Sequence, residues 1–297
     1  MPDDIFADPR LAAIYDDLDG ARDDLDFYVA LIESTAATSV LDIGCGTVTL
    51  AVRLALAGFD VTGVDPAAAS LAVAQRKSGA GRVGWHLGTV ESLAETTVDA
   101  VTMTGNVAQV LLDDDDWLST LRSIRRRLRP GGSLIFETRD PAARAWERWN
   151  RSASFARTEI SGIGTVESWV ELLDVALPFV SFRWTFRFVD TGELLTSDST
   201  LRFRDRSEID PRSRHRSASA ASASSRCWMP RIVPGPSWCS SPVRDAERRV
   251  EGRVEGGQSA VCRPMRPSSI HDSGSTMIPA SVRNDVSLPR PSTTLAR

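Results

Sequence analysis

The run Val40-Leu41-Asp42-Ile43-Gly44-Cys45-Gly46-Thr47 constrains the fold of this chain more than any other segment. Ser39–Ile43 is short, apolar and stopped by glycines, the mark of a buried strand. Glycines just past a strand let the backbone approach a ligand with no side chain in the way. The following segment, 47–57, is apolar at helical spacing, and Gly58 ends it. The first turn of that helix offers N–H groups with no partner of their own. A strand, a bare turn and a helix N-terminus together predict a ligand site.

The same alternation continues. Segments 60–64, 82–87, 98–103 and 133–137 are further apolar strands. Segments 67–77 and 114–128 read as helices, the second closed by Arg129-Pro130-Gly131-Gly132, and residues 8–34 are helical before the first strand. Nearly all-apolar strands alternating with helices predict an α/β fold with a doubly wound, mostly parallel sheet. Ligands of such sheets sit at the carboxyl ends of the strands. Residues 155–205 change to two-residue alternation with β-branched and aromatic side chains, and Thr191-Gly192 suits a hairpin turn. An appended antiparallel sheet is expected there.

Nineteen residues after Gly46 stands Asp65, at the end of the second strand. A carboxylate so placed can accept both hydroxyls of a ribose. A dinucleotide site needs a third glycine, and Thr49 occupies that position. Asp42 beside the glycines suits a cationic ligand better than a pyrophosphate. A nucleoside with a small charged tail fits these residues better than NAD.

The ordered set VLDIGCGT, VTGVD and LRPGGSLIFET resembles the class I S-adenosylmethionine-dependent methyltransferase superfamily, over about residues 10–140. The resemblance implies a Rossmann-like methyltransferase fold and S-adenosyl-L-methionine as cofactor. By it, Gly44, Cys45 and Gly46 would line the methionine moiety and Asp65 would hold the ribose. Asp42 would hold the glycine loop or the amino group. Thr89 and Val90 would face the adenine, and Thr104, Gly105 and Asn106 would close the pocket near the methyl donor. Tyr15 would cap the site or pack in the core, the second being the commoner fate of an aromatic. Val48 stands where the family usually has glycine, and Thr89 where it usually has an acid. A hydroxyl accepts more weakly than a carboxylate, so a lower affinity is expected.

Methyl transfer demands proximity and alignment rather than a particular residue type. No catalytic residue is singled out. Glu137, Thr138, Arg139 and Asp140 follow the fifth strand and can reach a substrate; Glu137 as a base and Glu137 in a structural ion pair remain equal alternatives. Trp146, Trp149, Trp169 and Trp184 would wall a pocket or fill the core.

Charge divides the chain. Residues 1–210 carry 21 basic and 33 acidic side chains, whereas residues 211–297 carry 14 arginines, 6 acids and 10 of the 16 prolines. The acidic first part argues against a nucleic-acid partner, and an antiparallel sheet appended over the pocket mouth would suit a small-molecule methyl acceptor. Cys45, Cys227, Cys239 and Cys262 match no zinc spacing, so no metal is expected. No apolar run would span a membrane, and the acidic start is unlike a signal peptide, so a cytoplasmic enzyme is expected. The parts are then a helical cap (1–34), a cofactor-binding core (35–150), an antiparallel segment (151–210) and a disordered tail (211–297). Back-translated with GC-rich codons and read two nucleotides later, residues 226–241 permit LLDAPDRPGPELVFL, a typical ending for this superfamily. The tail therefore reads as a frame-shifted ending, which would leave the fifth strand as an open edge. Three rivals follow: an inactive methyltransferase-fold protein, a nicotinamide-dependent oxidoreductase, and a module whose basic tail binds acidic partners.

Overall fold

The computed structural model describes residues 1–209 except Ala21, Asp23 and Val48, together with the backbone of Val233–Pro234 and Ser292–Ala296. Helices α1 (Asp4–Ala7), α2 (Pro9–Asp19) and α3 (Asp24–Glu33) precede strand β1 (Ser39–Ile43). There follow α4 (Thr49–Leu56), β2 (Asp60–Asp65), α5 (Ala68–Ala74), β3 (Val83–Leu87), β4 (Val98–Met103), α6 (Val107–Val110), α7 (Asp114–Arg127) and β5 (Leu128–Thr138). Beyond them lie α8 (Arg151–Ser154), β6 (Ala156–Ile160), β7 (Gly164–Ala176), β8 (Phe179–Phe188), β9 (Leu194–Arg202) and α9 (Arg206–Ile209). The backbone segments β10 (Val233–Pro234) and β11 (Ser292–Ala296) complete the described elements.

Strands β3-β2-β1-β4-β5 form a parallel sheet in that order. Every residue of β1 is buried, as a strand covered on both faces requires. One apolar cluster joins Leu25, Tyr28 and Ile32 of α3 to Leu50 and Leu54 of α4 and to Val40 and Val61 of the sheet. Another joins Trp117 and Ile124 of α7 to Leu41, Val101 and Leu134. The strand order reverses between β1 and β4, which makes their carboxyl ends the expected ligand crevice.

The second sheet is antiparallel, in the order β6-β7-β8-β9. At the β8–β9 turn Gly192 has φ 73° and donates its N–H to the Phe188 carbonyl at 2.8 Å. Glycine adopts that backbone without the clash a Cβ would bring. The inner face carries Val166, Val180, Phe182, Trp184 and Leu201, and these pack with Trp146, Trp149, and with Ile5, Leu11 and Ile14 of the N-terminal helices. Two buried arginines fasten this sheet to the parallel one. Arg204 donates to the Ala108 and Leu111 carbonyls at 2.9 and 2.6 Å and lies over the Trp117 ring. Arg202 donates to the Leu112 carbonyl at 2.8 Å. Both therefore cap the C-terminal end of the short helix that follows β4.

The structure departs from the sequence expectations in three places. Residues 8–34 are not one helical stretch: Gly20 at φ 70° ends α2, and a third helix begins earlier, at Asp4. The Arg129-Pro130-Gly131-Gly132 segment does not separate helix from strand. It lies within β5, where Gly131 takes φ 84° and the register with β4 shifts between Val98 and Ala100. The fifth strand is not an open edge, because β11 pairs with it antiparallel and β10 pairs with β11. The rest of the disordered and frame-shifted tail expected at 211–297 lies outside the described residues.

Asp99 holds the start of β1 to β4 and β5. Its carboxylate accepts from Thr38 N and Oγ1, from Ser39 N and Oγ, and from Arg129 Nη1, all at 2.7–3.0 Å. These donors, the Thr38 N–H first, hold the carboxyl well below the usual carboxylate range. Asp99→Ala is expected to lower the unfolding free energy by about 1–3 kcal/mol, read as a lower urea midpoint at unchanged slope. A folded-state pKa below the unfolded value means that this stability is present above about pH 4 and is lost as pH falls further. The gap between wild type and variant should shrink in acid accordingly.

Candidate functional site

The loop after β1 is built for close approach. Gly44 and Gly46 have φ 65° and 56°. A Cβ on Gly44 would collide with Val107, whereas a Cβ on Gly46 would meet nothing within 4 Å. The first glycine thus clears the neighbouring helix, and the second leaves open space in front of the loop. Gly44 and Cys45 donate their N–H groups to the Val64 carbonyl at 2.8 and 3.2 Å. The loop is thereby stitched to the end of β2. Cys45 contributes its backbone here. Its thiol is buried, and burial pushes its pKa up.

Asp65 is the tie that sets the loop. It accepts the Gly46 N–H at 2.7 Å and the Ala67 N–H at 2.8 Å, one on each carboxylate oxygen. Each oxygen keeps a further lone pair for a ligand hydroxyl. Asp42 does not hold the glycine loop, one of the two roles open to it in the sequence. Its carboxylate is 2 % exposed and accepts from Thr102 Oγ1, its register partner on the adjacent strand β4, at 2.6 Å. Burial pushes the Asp42 carboxyl up to about 7, with the nearby Asp65 charge acting the same way and the Thr102 hydroxyl and Arg22 opposing it.

Around this centre the other expected residues take different places. Thr89 is exposed at the start of a short turn after β3 and gives its N–H to Ser92 Oγ at 3.1 Å. Val90 is 1 % exposed and packs in the core cluster with Ile43, Val64 and Met103. Thr104 is half-buried, Gly105 (φ 69°) is exposed, and Asn106 (φ 72°) is buried, so the β4 loop is a second bare turn facing the first. Tyr15 lies beside the second apolar cluster with its ring 5.5 Å from that of Phe6. Burial raises its hydroxyl pKa well beyond the usual value. Val48 lies outside the described residues.

Glu137 is a buried junction rather than a free base. Its carboxylate accepts the Tyr28 hydroxyl from α3, the Gly105 N–H at 2.6 Å and the Asn106 N–H at 3.2 Å. Burial raises its pKa, and these three donors with Arg139 oppose that. Arg139 is 2 % exposed; its Nε donates to Asn106 Oδ1 at 3.1 Å, and its backbone N–H donates to Gln109 Oε1 at 3.1 Å.

Several contributors carried no signal in the sequence. Arg22, in the turn after α2, is gripped by Asp19 and Asp24 at 2.9–3.0 Å, and its charge reaches Asp42 and Tyr15. Asp16 of α2 accepts from Thr47 Oγ1 at 2.6 Å and pairs with Lys77 at 2.7 Å, which pins the N-terminal helices over the start of α4. Tyr28 and Gln109 looked like ordinary helix residues. Their partners lie 109 and 30 residues away in sequence, which no local pattern encodes.

Glu137→Ala would leave the buried Asn106 N–H without a partner and release the Gly105 N–H and the Tyr28 hydroxyl from their acceptor. A loss of about 2–5 kcal/mol in unfolding free energy is expected, with Tyr28→Phe costing about 1 kcal/mol. Glu137→Gln keeps one acceptor oxygen and should fall between them. Chemical denaturation of the three variants checks this order.

A protein-family model described as a methyltransferase domain matches residues 40–132. Over 105 residues the chain is 35% identical to the cypemycin N-terminal methyltransferase of Streptomyces sp., covering 35% of this chain and 43% of that protein. Over 118 residues it is 39% identical to the ubiquinone biosynthesis O-methyltransferase of Pseudomonas putida F1, covering 37% and 49%. The chain thus spans less than half the length of these two relatives. Among solved structures, the CcbJ methyltransferase from Streptomyces caelestis superposes with a TM-score of 0.54 at 22% identity, covering 69% of this chain and 84% of that one. Over residues 40–132 the chain is similar to methyltransferase domains, and its fold is one that solved methyltransferases share.

Proposed function

We propose that this protein is an S-adenosyl-L-methionine-dependent methyltransferase that acts on a small molecule in the cytoplasm. The observation that carries the reading is the pair of bare loops facing each other at the sheet's reversal point. Gly46 and Gly105 both have positive φ, and an added Cβ on either would meet nothing within 4 Å. Two carboxylates, Asp42 and Asp65, stand beside that space, and no cation of the chain is bonded to either among the described hydrogen bonds and ion pairs. Acids with open backbone between them fit a nucleoside with a cationic tail and disfavour a pyrophosphate.

In this reading Asp65 holds the ribose hydroxyls through its remaining lone pairs while keeping Gly46 in place. Gly44, Cys45 and Gly46 present backbone to the methionine portion, and Asp42 attracts its ammonium group. Thr89 and the backbone of Val90 border the adenine, and Thr104 and Asn106 border the reacting end. The sulfonium of the bound cofactor supplies an already activated methyl group, so the chain's task is to align the acceptor and exclude water. Glu137 fixes the β4 loop for this purpose and holds no proton in transit. The antiparallel sheet and the α1–α2 helices close over the carboxyl ends of the strands, a setting that favours a small acceptor over a polymer. The relatives' names cite a cypemycin N-terminus and ubiquinone biosynthesis, two acceptors that likeness in the shared domain does not tell apart.

Calorimetric titration with S-adenosylhomocysteine, with NAD in parallel, tests the reading. Saturable binding of S-adenosylhomocysteine alone is expected; binding of NAD instead would overturn it. The Asp42 carboxyl gives a further signature. It is largely neutral below about pH 7 and ionised above, and only the ionised form attracts an ammonium group. Affinity for S-adenosylhomocysteine should therefore rise about tenfold from pH 6 to pH 8, with proton release on binding at pH 6. The dependence should vanish in Asp42→Asn.

A further inference from the structure

A small cavity lies between the carboxyl ends of β4 and β5 and the inner face of the antiparallel sheet. Gly105, Asn106 and Arg139 form one wall, Phe182, Trp184, Ser199 and Leu201 the opposite one, and Trp149 closes the side. Asp3, from the N-terminal segment, is the other charged group lining it. Gly105 and Asn106 belong both to this cavity and to the loop assigned above to the reacting end of the cofactor. The space of about 40 Å³ accommodates about three water-sized groups.

The walls carry an unusual set of hydrogen-bonding groups. Arg139 Nη1, Trp149 Nε1 and Trp184 Nε1 are buried and have no hydrogen-bond partner among the described residues. Buried polar groups in native proteins are almost always paired, so three orphans around one cavity call for a cause. All three are donors. Arg139 also makes no ion pair among the described residues: Glu137, its nearest opposing charge, is occupied by Tyr28, Gly105 and Asn106. Burial lowers the Arg139 pKa to about 9, which records the cost of a desolvated guanidinium without a counterion. The missing partner must be an acceptor, negatively charged, and about three heavy atoms in size at its polar end. Asp3 bonds with the Ser199 hydroxyl and makes no ion pair with Arg139 among the described residues, so it does not fill that role.

Resting on the methyltransferase reading above, we propose that the methyl acceptor carries a carboxylate, and that this carboxylate seats on Arg139 beneath the antiparallel sheet. The guanidinium Nη1 and the indole N–H of Trp149 or Trp184 donate to its oxygens. The aromatic walls of Phe182 and Trp184 cover the adjoining carbon skeleton, and the remainder of the acceptor extends toward Gly105 and Asn106. Arg139 is in this account a specificity-determining residue: it selects acids over their neutral analogues and places them, without touching the transferred methyl group.

The test uses the full-length chain saturated with S-adenosylhomocysteine and three acids, acetate, propionate and benzoate, each against its amide. Affinities are read by calorimetry, and the indole N–H resonances of Trp149 and Trp184 are followed by NMR, assigned with Trp149→Phe and Trp184→Phe. At least one acid should bind at least tenfold more tightly than its amide and move one of the two indole resonances downfield. That preference should disappear in Arg139→Met and fall in Arg139→Lys, which keeps charge but loses the fork. Both variants should still bind S-adenosylhomocysteine, which also reports that they are folded. Equal binding of acids and amides, an acid preference that survives in Arg139→Met or is undiminished in Arg139→Lys, or acid binding that leaves both indoles unmoved would overturn the proposal. Failure of the wild-type chain to bind S-adenosylhomocysteine would overturn the methyltransferase reading instead.

Discussion

The site rests on one carboxylate. Asp65 ends β2 and reaches back to the Gly46 N–H while also accepting from Ala67 at the start of α5. The other hydrogen bonds that hold the glycine loop against β2, among the described residues, are those from the Gly44 and Cys45 N–H groups to the Val64 carbonyl. A backbone at positive φ is easily displaced unless its N–H is engaged, and here a charged acceptor engages it, the stronger kind of hydrogen bond. In the proposed reading the same atoms that shape the loop also hold the cofactor, so scaffold and ligand site would be one feature.

The opposite side of the crevice is set by a second buried carboxylate. Glu137 gathers α3, the β4 loop and β5 into one junction, and Asn106 and Gln109 pass its order on to Arg139. Arg202 and Arg204 then fasten the antiparallel sheet to the end of α6. From Glu137 through Asn106, Arg139 and Gln109 to Arg202 the hydrogen bonds run without a break. Such a network fixes loop positions more narrowly than apolar packing alone.

Much of this was legible in the sequence because it depends on local pattern. Strands β1 and β4 were readable to the residue, since short apolar runs bounded by glycine or polar residues leave little freedom. The glycine loop and Asp65 were readable from type and spacing. What was not legible depended on distant pairing. Glu137 left base and structural ion pair open, because only the fold brings Tyr28, Gly105 and Asn106 to it. Val90 was placed at the adenine on the strength of motif position, yet its side chain turns into the core. Arg129-Pro130-Gly131-Gly132 looked like a stop, whereas sheet pairing with β4 absorbs it into β5 as an irregularity. The tail's composition gave no hint of β11, whose backbone pairs with β5 although its sequence lacks a strong strand pattern.

The central claim is that the two bare loops, braced by Asp65 and Glu137, form a nucleoside cofactor site. Hydrogen–deuterium exchange of the full-length chain with and without S-adenosyl-L-methionine tests it most directly. The account predicts slower exchange in segments 42–49, 65–67 and 104–107, with the outer strands β6 and β7 unchanged. Unchanged exchange in those segments, or protection confined to other parts of the chain, would contradict it.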